Sequence, residues 1–375
     1  MRPTWRVAGA VLLALVLEWY GGTSQVSWLF LLAAWVAAMV VVGAIYALWN
    51  RRGLSLRLGV ENVGPSPESP VHDLPEQFLR SAPYPLVFEG DSSDLIVGLV
   101  SAKGERGPAW VKGLIGQREV AMGAGAVPPT GWRRASAQRA LRRAAIKSTG
   151  WTIHTGDPLG FFHGATSCPD MELGVVMPMF TSLRARRETR DLEAASAAPR
   201  SGAGTELFGV REYSPGDSLR RIHWRSTARQ GRLVVREFEP PGVQTLGIFL
   251  DPSPSNQEVG DQLARIAASE AWDCIRDGGR VFLWSPGLRA SGPAEARDLW
   301  ALLDWLARYP GEAGDDPAPP ISDAVLIAAD SDPRLIESLE EARRHGAHVR
   351  GWAVGSAELD LRDVALERAG LEWPL

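Results

Sequence analysis

The rhythm of apolar and polar positions changes several times along the chain. Residues 7–17 (VAGAVLLALVL) are continuously apolar, with Trp19 and Tyr20 behind them, and Val26 to Trp49 is a second run without a charge. A bilayer core takes about 20 residues of helix, so the second run predicts a spanning helix and the first a shorter one. GGTSQ is the turn between them. Arg2 and Arg6 precede the first run and Arg51 and Arg52 follow the second, which places both ends in the cytoplasm and the turn outside. A cleaved signal peptide is the competing reading. No small-residue cleavage site precedes Val26, and the second run would anchor the chain in either case. Residues 1–52 are therefore predicted to form a transmembrane helical hairpin.

From residue 53 to 180 the pattern breaks into short alternating or apolar runs, such as LIVGLV (Leu95 to Val100) and TIH (Thr152 to His154). Gly- and Pro-rich stretches (ENVGPSPESP, SAPYP, AGAVPPTG) punctuate them. Short strands with frequent turn signals predict an antiparallel β-sandwich. The basic segment Trp132 to Lys147 lacks an apolar stripe, so it reads as a solvated loop leading into a strand rather than a helix lying on anionic lipid. Residues 181–206, helical at first and then rich in Ala, Ser, Gly and Pro, read as a linker.

Residues 243–375 alternate between buried-type strands and helices. The strands are TLGIFL (Thr245 to Leu250), RVFLW (Arg280 to Trp284), AVLIAA (Ala324 to Ala329) and HVRGWAV (His348 to Val354). Helices are expected at Glu258–Asp277, where Leu263, Ile266 and Ala267 share a face, at Pro293–Tyr309, and at Pro333–His345. This order implies right-handed crossovers and a mostly parallel sheet covered on both faces.

Composition changes the picture little. The 375 residues are 45% hydrophobic and 22% charged, as in ordinary folded protein. A pI near 6.0 offers polyanions no whole-chain attraction. Cys168 and Cys274 have neither metal-type nor disulfide-framework spacing, in keeping with a reducing compartment. There is no GxxxxGK[ST], no GxGxxG after a strand and no HExxH. His345 to His348 (HGAH) reads as a helix end, with Arg343 and Arg344 before Gly346.

Between the two soluble regions lies 207–242, where five of the nineteen residues from Arg211 to Arg229 are arginine. Ser214-Pro215-Gly216-Asp217 predicts a tight turn with Asp217 as a helix N-cap, and Arg232 to Glu239 alternates like a strand. Nucleic-acid binding would set the arginines on phosphates with Tyr213 or Trp224 stacked on bases. Glu212, Asp217, Glu237 and Glu239 speak against an exposed phosphate tract. A catalytic site would need more than His223 and Asp217, which are six residues apart with no orienting partner. The mixture of signs favours an Arg–carboxylate network, in which guanidinium groups fork onto acids.

GVREYSPGDSLRRIHWRSTARQGRLVVREFE resembles the signature of the bacterial domain-of-unknown-function 58 family. The common elements are Gly-x-Arg-Glu-Tyr-x-x-Gly-Asp, then Arg-x-Ile-x-Trp-x-x-x-Ala-Arg, then Leu-x-Val-x-Glu-x-Glu. TGDPLGFF (Thr155 to Phe162) resembles the element closing that family's β-domain, and VMPM (Val176 to Met179) stands where the family has a strand ending in Pro. His223 stands where the family usually has Asp, which removes one carboxylate from the network. The expected structural signature is Arg211, Tyr213, Pro215, Gly216, Asp217, Arg221, Trp224, Arg225, Arg236 and Glu237, fastening the β-domain to the α/β domain. The resemblance implies a membrane-attached architecture, a von Willebrand factor A-like domain at 243–375, and a MoxR-type AAA+ ATPase as partner.

FLDPSPSN (Phe249 to Asn256) is similar to the Asp-x-Ser-x-Ser of metal-ion-dependent adhesion sites. Mg²⁺ takes hard oxygens in an octahedral set. Ser253 and Ser255 would bind directly, Asp251 through water, and Asp330 would take the place of the later acidic residue. The same residues also read as a loop with Ser255 or Asn256 as N-cap. Together these features predict a multidomain protein of the cell membrane with cytoplasmic soluble domains. It would be a non-enzymatic adaptor that works with the ATPase in assembly or maturation of a partner complex and binds no nucleic acid. The rivals are a metal-dependent hydrolase using Asp251 and Asp330, and a nucleic-acid binder using the arginine-rich stretch.

Overall fold

A computed structural model of the protein describes residues 1–139, 142–187, 209–212, 234–237, 245–319, 321, 323–355 and 364–374; residues 138, 139, 209–212 and 234–237 enter as backbone. The chain divides into two compact units, Met1–Met179 and Phe180–Leu375.

The first unit begins with strand β1 (Arg2–Pro3), helix α1 (Trp5–Ser24) and helix α2 (Ser27–Arg51), both helices long and apolar enough to cross a membrane. The expected turn GGTSQ is mostly helix, and α1 is longer than its apolar run. Thr23 donates to the Trp19 and Tyr20 carbonyls and Ser24 to Tyr20, so their hydroxyls are satisfied inside the last turn of helix. The chain reverses at Gln25, whose φ of 50° is left-handed.

Behind the hairpin come β2 (Leu54–Gly64), a short helix α3 (Glu76–Arg80), β3 (Val87–Phe88), β4 (Ser92–Ser101), β5 (Ala109–Ile115), β6 (Arg118–Ala124), β7 (Trp132–Arg139), β8 (Ala144–Gly156), β9 (Phe162–Ser167) and β10 (Met171–Met177). One antiparallel sheet has the order β2-β4-β7. The other runs β1-β9-β8-β10-β3, with β5 and β6 joined through β8, and is antiparallel except at β10–β3. Alternation turns Leu95, Val97 and Leu99 of β4 inward against Val111 of β5 and Trp151 and Ile153 of β8. Each such side chain contributes about 1.5–3 kcal/mol on burial. In the basic segment, residues 132–139 are strand rather than loop: β7 pairs with β4, Trp132 packs against the core, and Arg133 pairs with Glu61 at 2.9 Å in solvent, while residues 144–147 enter a strand, β8, as expected. The period of two in β7 outweighs its helix-forming Ala and Arg.

The hairpin is fitted closely to this sandwich. Asn50, fully buried, accepts from the Gly107 amide (2.7 Å) and donates to Pro108 and Gly156 carbonyls. The Arg106 guanidinium lies over the Trp49 ring at 4.3 Å and donates to the Arg52 carbonyl.

The described strands of the second unit are β11 (Gly209–Glu212), β12 (Val234–Glu237), β13 (Thr245–Leu250), β14 (Arg280–Trp284), β15 (Asp323–Ala328), β16 (His348–Val354) and β17 (Ala365–Ala369); its helices are α4 (Gln257–Arg276), α5 (Leu299–Arg308) and α6 (Pro333–Arg344). Strands β13 to β17 form a wholly parallel sheet in the order β14-β13-β15-β16-β17. Leu335 and Leu339 of α6 pack on Phe249, Leu326 and Ala328. The alternate residues Ile248, Leu250, Val325 and Ile327 are buried on the other face, where α4 packs.

Two expectations are corrected here. The helix predicted from Pro293 starts at Leu299, because Asp298 caps it by accepting from the Trp300 and Ala301 amides. Strand β17 was not predicted. ALERA has helix-forming composition, and its pairing with β16 overrides that preference.

Residues 181–187, read as the start of a linker, belong to the second unit. Phe180 packs on Trp272 with ring centroids 5.6 Å apart. The Thr181 amide donates to Ser269 Oγ, and Asp273 accepts from the Ser182 hydroxyl and the Leu183 amide at 2.8 and 3.0 Å. Residues 184–187 are helical, and residues 188–206 of the predicted linker lie outside the described residues.

Candidate functional site at the carboxyl edge of the parallel sheet

Strand order reverses at β13: the chain passes to β14 on one side and returns to β15 on the other. In open α/β sheets the crevice beyond the carboxyl ends of such a pair is where ligands gather. Asp251 follows β13 directly and Asp330 stands two residues beyond β15, so the topology brings these two predicted residues to one edge.

Asp251 is buried at 2% exposure. Its Oδ1 accepts from the Ser253 amide at 2.9 Å, and its Oδ2 accepts from the Ala329 and Asp330 amides at 3.1 and 3.0 Å. Its own amide donates to Ile327, and the Tyr309 hydroxyl donates to its carbonyl. A single carboxylate thus ties the loop after β13 to the loop after β15. These hydrogen bonds to a charged acceptor are the stronger kind. Asn256 is the N-cap of α4, accepting from the Val259 amide at 2.9 Å. Ser253, Ser255 and Asp330 are exposed, and Asp330 accepts from the Ser331 amide.

This arrangement bears on a divalent ion. Both oxygens of Asp251 already take amide donors, so Asp251 does not fit the role of a direct ligand. The exposed oxygens of Ser253, Ser255 and Asp330 are donors of the kind Mg²⁺ takes. Among the described residues no group of three or more His, Cys, Asp and Glu side chains could hold a metal ion.

The arginine-rich signature is described only at its two ends. Antiparallel β11 and β12 set Arg211 opposite Val235, Glu237 opposite Gly209, and Arg236 opposite Val210. By the period of two, Arg211 and Glu237 occupy register positions on one side of this ladder and Arg236 on the other. Tyr213, Pro215, Gly216, Asp217, Arg221, Trp224 and Arg225 lie outside the described residues.

An Arg–carboxylate network that sequence reasoning missed lies on α4. Glu270, 1% exposed, accepts from Trp352 Nε1 at 2.9 Å and from Arg350 at 2.6 Å, and it also pairs with Arg187. Arg187 also reaches Asp273 at 3.5 Å, and Arg184 pairs with Asp277. Arg186 lies over the Trp352 ring at 5.2 Å and pairs with Glu367 of β17 at 3.6 Å. The network binds residues 184–187, α4 and β16 together. Its signal was present in the sequence: Glu270 and Asp273, three apart, interrupt the buried stripe of an amphipathic helix.

The two cysteines are free thiols. Burial, with Asp277 and Asp323 adding to it, pushes the Cys274 thiol from 9.0 up to about 11. The neutral thiol is therefore favoured in the folded state. Its contribution to stability is fully present below pH 9.0 and is lost as pH rises toward about 11. Cys274 is expected to stay unreactive toward iodoacetamide at pH 8 in the native protein and to react once it is denatured. Native labelling at the rate of a free thiol would contradict this environment. Burial also raises the Cys168 thiol.

Comparison with known proteins places two of these features in one match. A family model described as "Protein of unknown function DUF58" matches residues 209–292, which include the signature, β13, the Asp251 loop, α4 and β14. The chain is also similar to "Uncharacterized protein YeaD" of Bacillus subtilis (strain 168), with 24% identity over 138 residues, 36% of this chain and 34% of that protein. The match thus spans about a third of the relative's length.

Proposed function

We propose that the protein is a membrane-anchored, non-enzymatic binding module. Its hairpin of α1 and α2 crosses the bilayer, and its α/β unit, of the von Willebrand A type, offers the carboxyl edge of β13 and β15 to a partner protein. The observation that carries this reading is the Asp251 brace. It spends a buried carboxylate on holding two loops rigid, so that Ser253, Ser255 and Asp330 stand exposed on a preorganised rim. A MoxR-type AAA+ ATPase is the partner class, on the strength of the signature resemblance. The partner's task would be assembly or maturation of a larger complex. Mg²⁺, where it takes part, would rest on Ser253, Ser255 and Asp330 and supply a positive centre for a partner's carboxylate.

Cross-linking in native membranes, followed by purification and mass spectrometry, tests the proposal. An AAA+ ATPase is expected, with cross-links landing on residues 251–256 and 329–332. Cross-links confined to other surfaces would overturn the assignment of the edge. Substrate turnover abolished by chelation would instead establish the hydrolase.

A further inference from the structure

The turn between β8 and β9, Asp157 to Phe162, stands in an unusual place for a sandwich loop. It is bonded to the start of α1: the Thr4 amide donates to the Phe161 carbonyl and the Thr4 hydroxyl to the Gly160 carbonyl, each at 2.8 Å, and Arg6 donates to the Leu159 carbonyl at 3.0 Å. It also abuts α2, where a β-carbon on Gly43 would come within 3.3 Å of the Phe161 ring and 3.4 Å of Asp157 Oδ2. The 20 residues of α1 rise about 30 Å, the thickness of a bilayer's hydrocarbon layer. Trp5, 80% exposed, then marks one border of that layer. Counted from the bend, Tyr46 of α2 is level with Trp5. The second attachment, at Gly43, is nearly one helical turn closer to the bend, so the two together place the turn at this border.

The turn is built to sit there. The buried Asp157 carboxylate accepts from the Leu159 and Phe162 amides at 3.0 and 2.6 Å, so its polar atoms are satisfied within the turn. Pro158 and Leu159 form its outer tip, with Leu159 exposed. Between the tip and α2 lies an apolar groove of about 310 Å³, lined by Trp35, Met39, Val42, Tyr46, Pro158 and Leu159. The groove runs into the exposed apolar surface of α2 at Trp35 and Val42, so its deep end opens toward hydrocarbon when α2 spans the bilayer. Arg2, Arg6, Arg51 and Arg52 are exposed near this level, as is Glu105.

We propose that Asp157 to Phe162 seats the β-sandwich in the interfacial layer of the bilayer, with an acyl chain of a phospholipid of that leaflet lying in the groove. The inference rests on the reading of α1 and α2 as spanning helices. It adds that the sandwich is held against the membrane rather than hung from it.

The test uses the full chain with Cys168→Ser and Cys274→Ala, reconstituted in vesicles of phosphatidylcholine and phosphatidylglycerol. Nitroxides are attached singly at Leu159→Cys, at Pro158→Cys as a second probe of the tip, at Val41→Cys within α2, and at Tyr84→Cys on an exposed loop. The labels at 158, 159 and 41 are expected to collide with oxygen in preference to a water-soluble nickel chelate, by several-fold relative to position 84. Labels at 158 and 159 that behave like position 84, with position 41 still in lipid, would overturn the seat and leave the spanning helices standing. A water-exposed label at position 41 would overturn both.

Discussion

Glu270→Ala is expected to destabilise the α/β unit by about 3 kcal/mol, with the loss centred on α4 and β16. Glu270 is 1% exposed and receives Arg350, Arg187 and the Trp352 indole N–H. Truncation would strand an indole donor inside the fold and remove the charge that two guanidinium groups face. The figure is set at the low end for a broken buried pair because the arginine side chains keep 30% and 35% exposure and rehydrate in part. Glu270→Gln retains an acceptor for Trp352 and should lose less, about 1–2 kcal/mol. Amide hydrogen exchange along α4 in the full-length chain measures this directly. Protection should fall about a hundredfold for the alanine variant if exchange follows local opening. Unchanged protection would show that Glu270 does not hold α4 against β16, and that packing and the Asp273 and Asp277 contacts suffice.

The second large effect is expected at Asp251. Asp251→Ala should cost about 3 kcal/mol, since three amides lose a charged acceptor and at least part of each becomes unsatisfied. The loss should appear in residues 251–256 and 329–332 and leave the sandwich of the first unit unchanged. Asp251→Asn should fall between the two proteins, because a carboxamide keeps one acceptor oxygen and turns a donor toward the amides. The effect should be equal in Mg²⁺ and in chelator, as a brace made of backbone amides needs no ion. A cost that appears only in Mg²⁺ would make Asp251 a ligand first and a brace second.

Much of the second unit was legible because buried parallel strands are written as uninterrupted apolar runs. TLGIFL, RVFLW and HVRGWAV became β13, β14 and β16 with the predicted bounds. Strand β17 was hidden because edge pairing, a tertiary fact, decides it. Residues 132–139 misled in the opposite way, since their charges mask a strand whose partner lies some 40 residues earlier in β4. At the edge of the sheet, Asp-x-Ser-x-Ser pointed to Asp251 as a metal residue, and its bracing of two loops was not legible. Its three amide partners were hidden, because two of them come from the loop after β15, and only the folded sheet brings that loop near. The Tyr309 hydroxyl on the Asp251 carbonyl was invisible for the same reason. Arginine–acid pairing was anticipated as a principle at Arg211 to Glu237. The side chains of that stretch lie outside the described residues; a second network is seen around Glu270, whose signal was a carboxylate on the apolar stripe of α4.

The central claim is that the rim of Ser253, Ser255 and Asp330, held by Asp251, binds a partner protein. Titration of the purified full-length chain in detergent with the AAA+ ATPase tests it most directly, comparing the native sequence with the combined variant Ser253→Ala, Ser255→Ala, Asp330→Ala. These three side chains are exposed, so the melting curve should not change. Affinity is expected to fall at least about tenfold, equivalent to about 1.4 kcal/mol. Equal affinity for both proteins, with both equally folded, would contradict the claim.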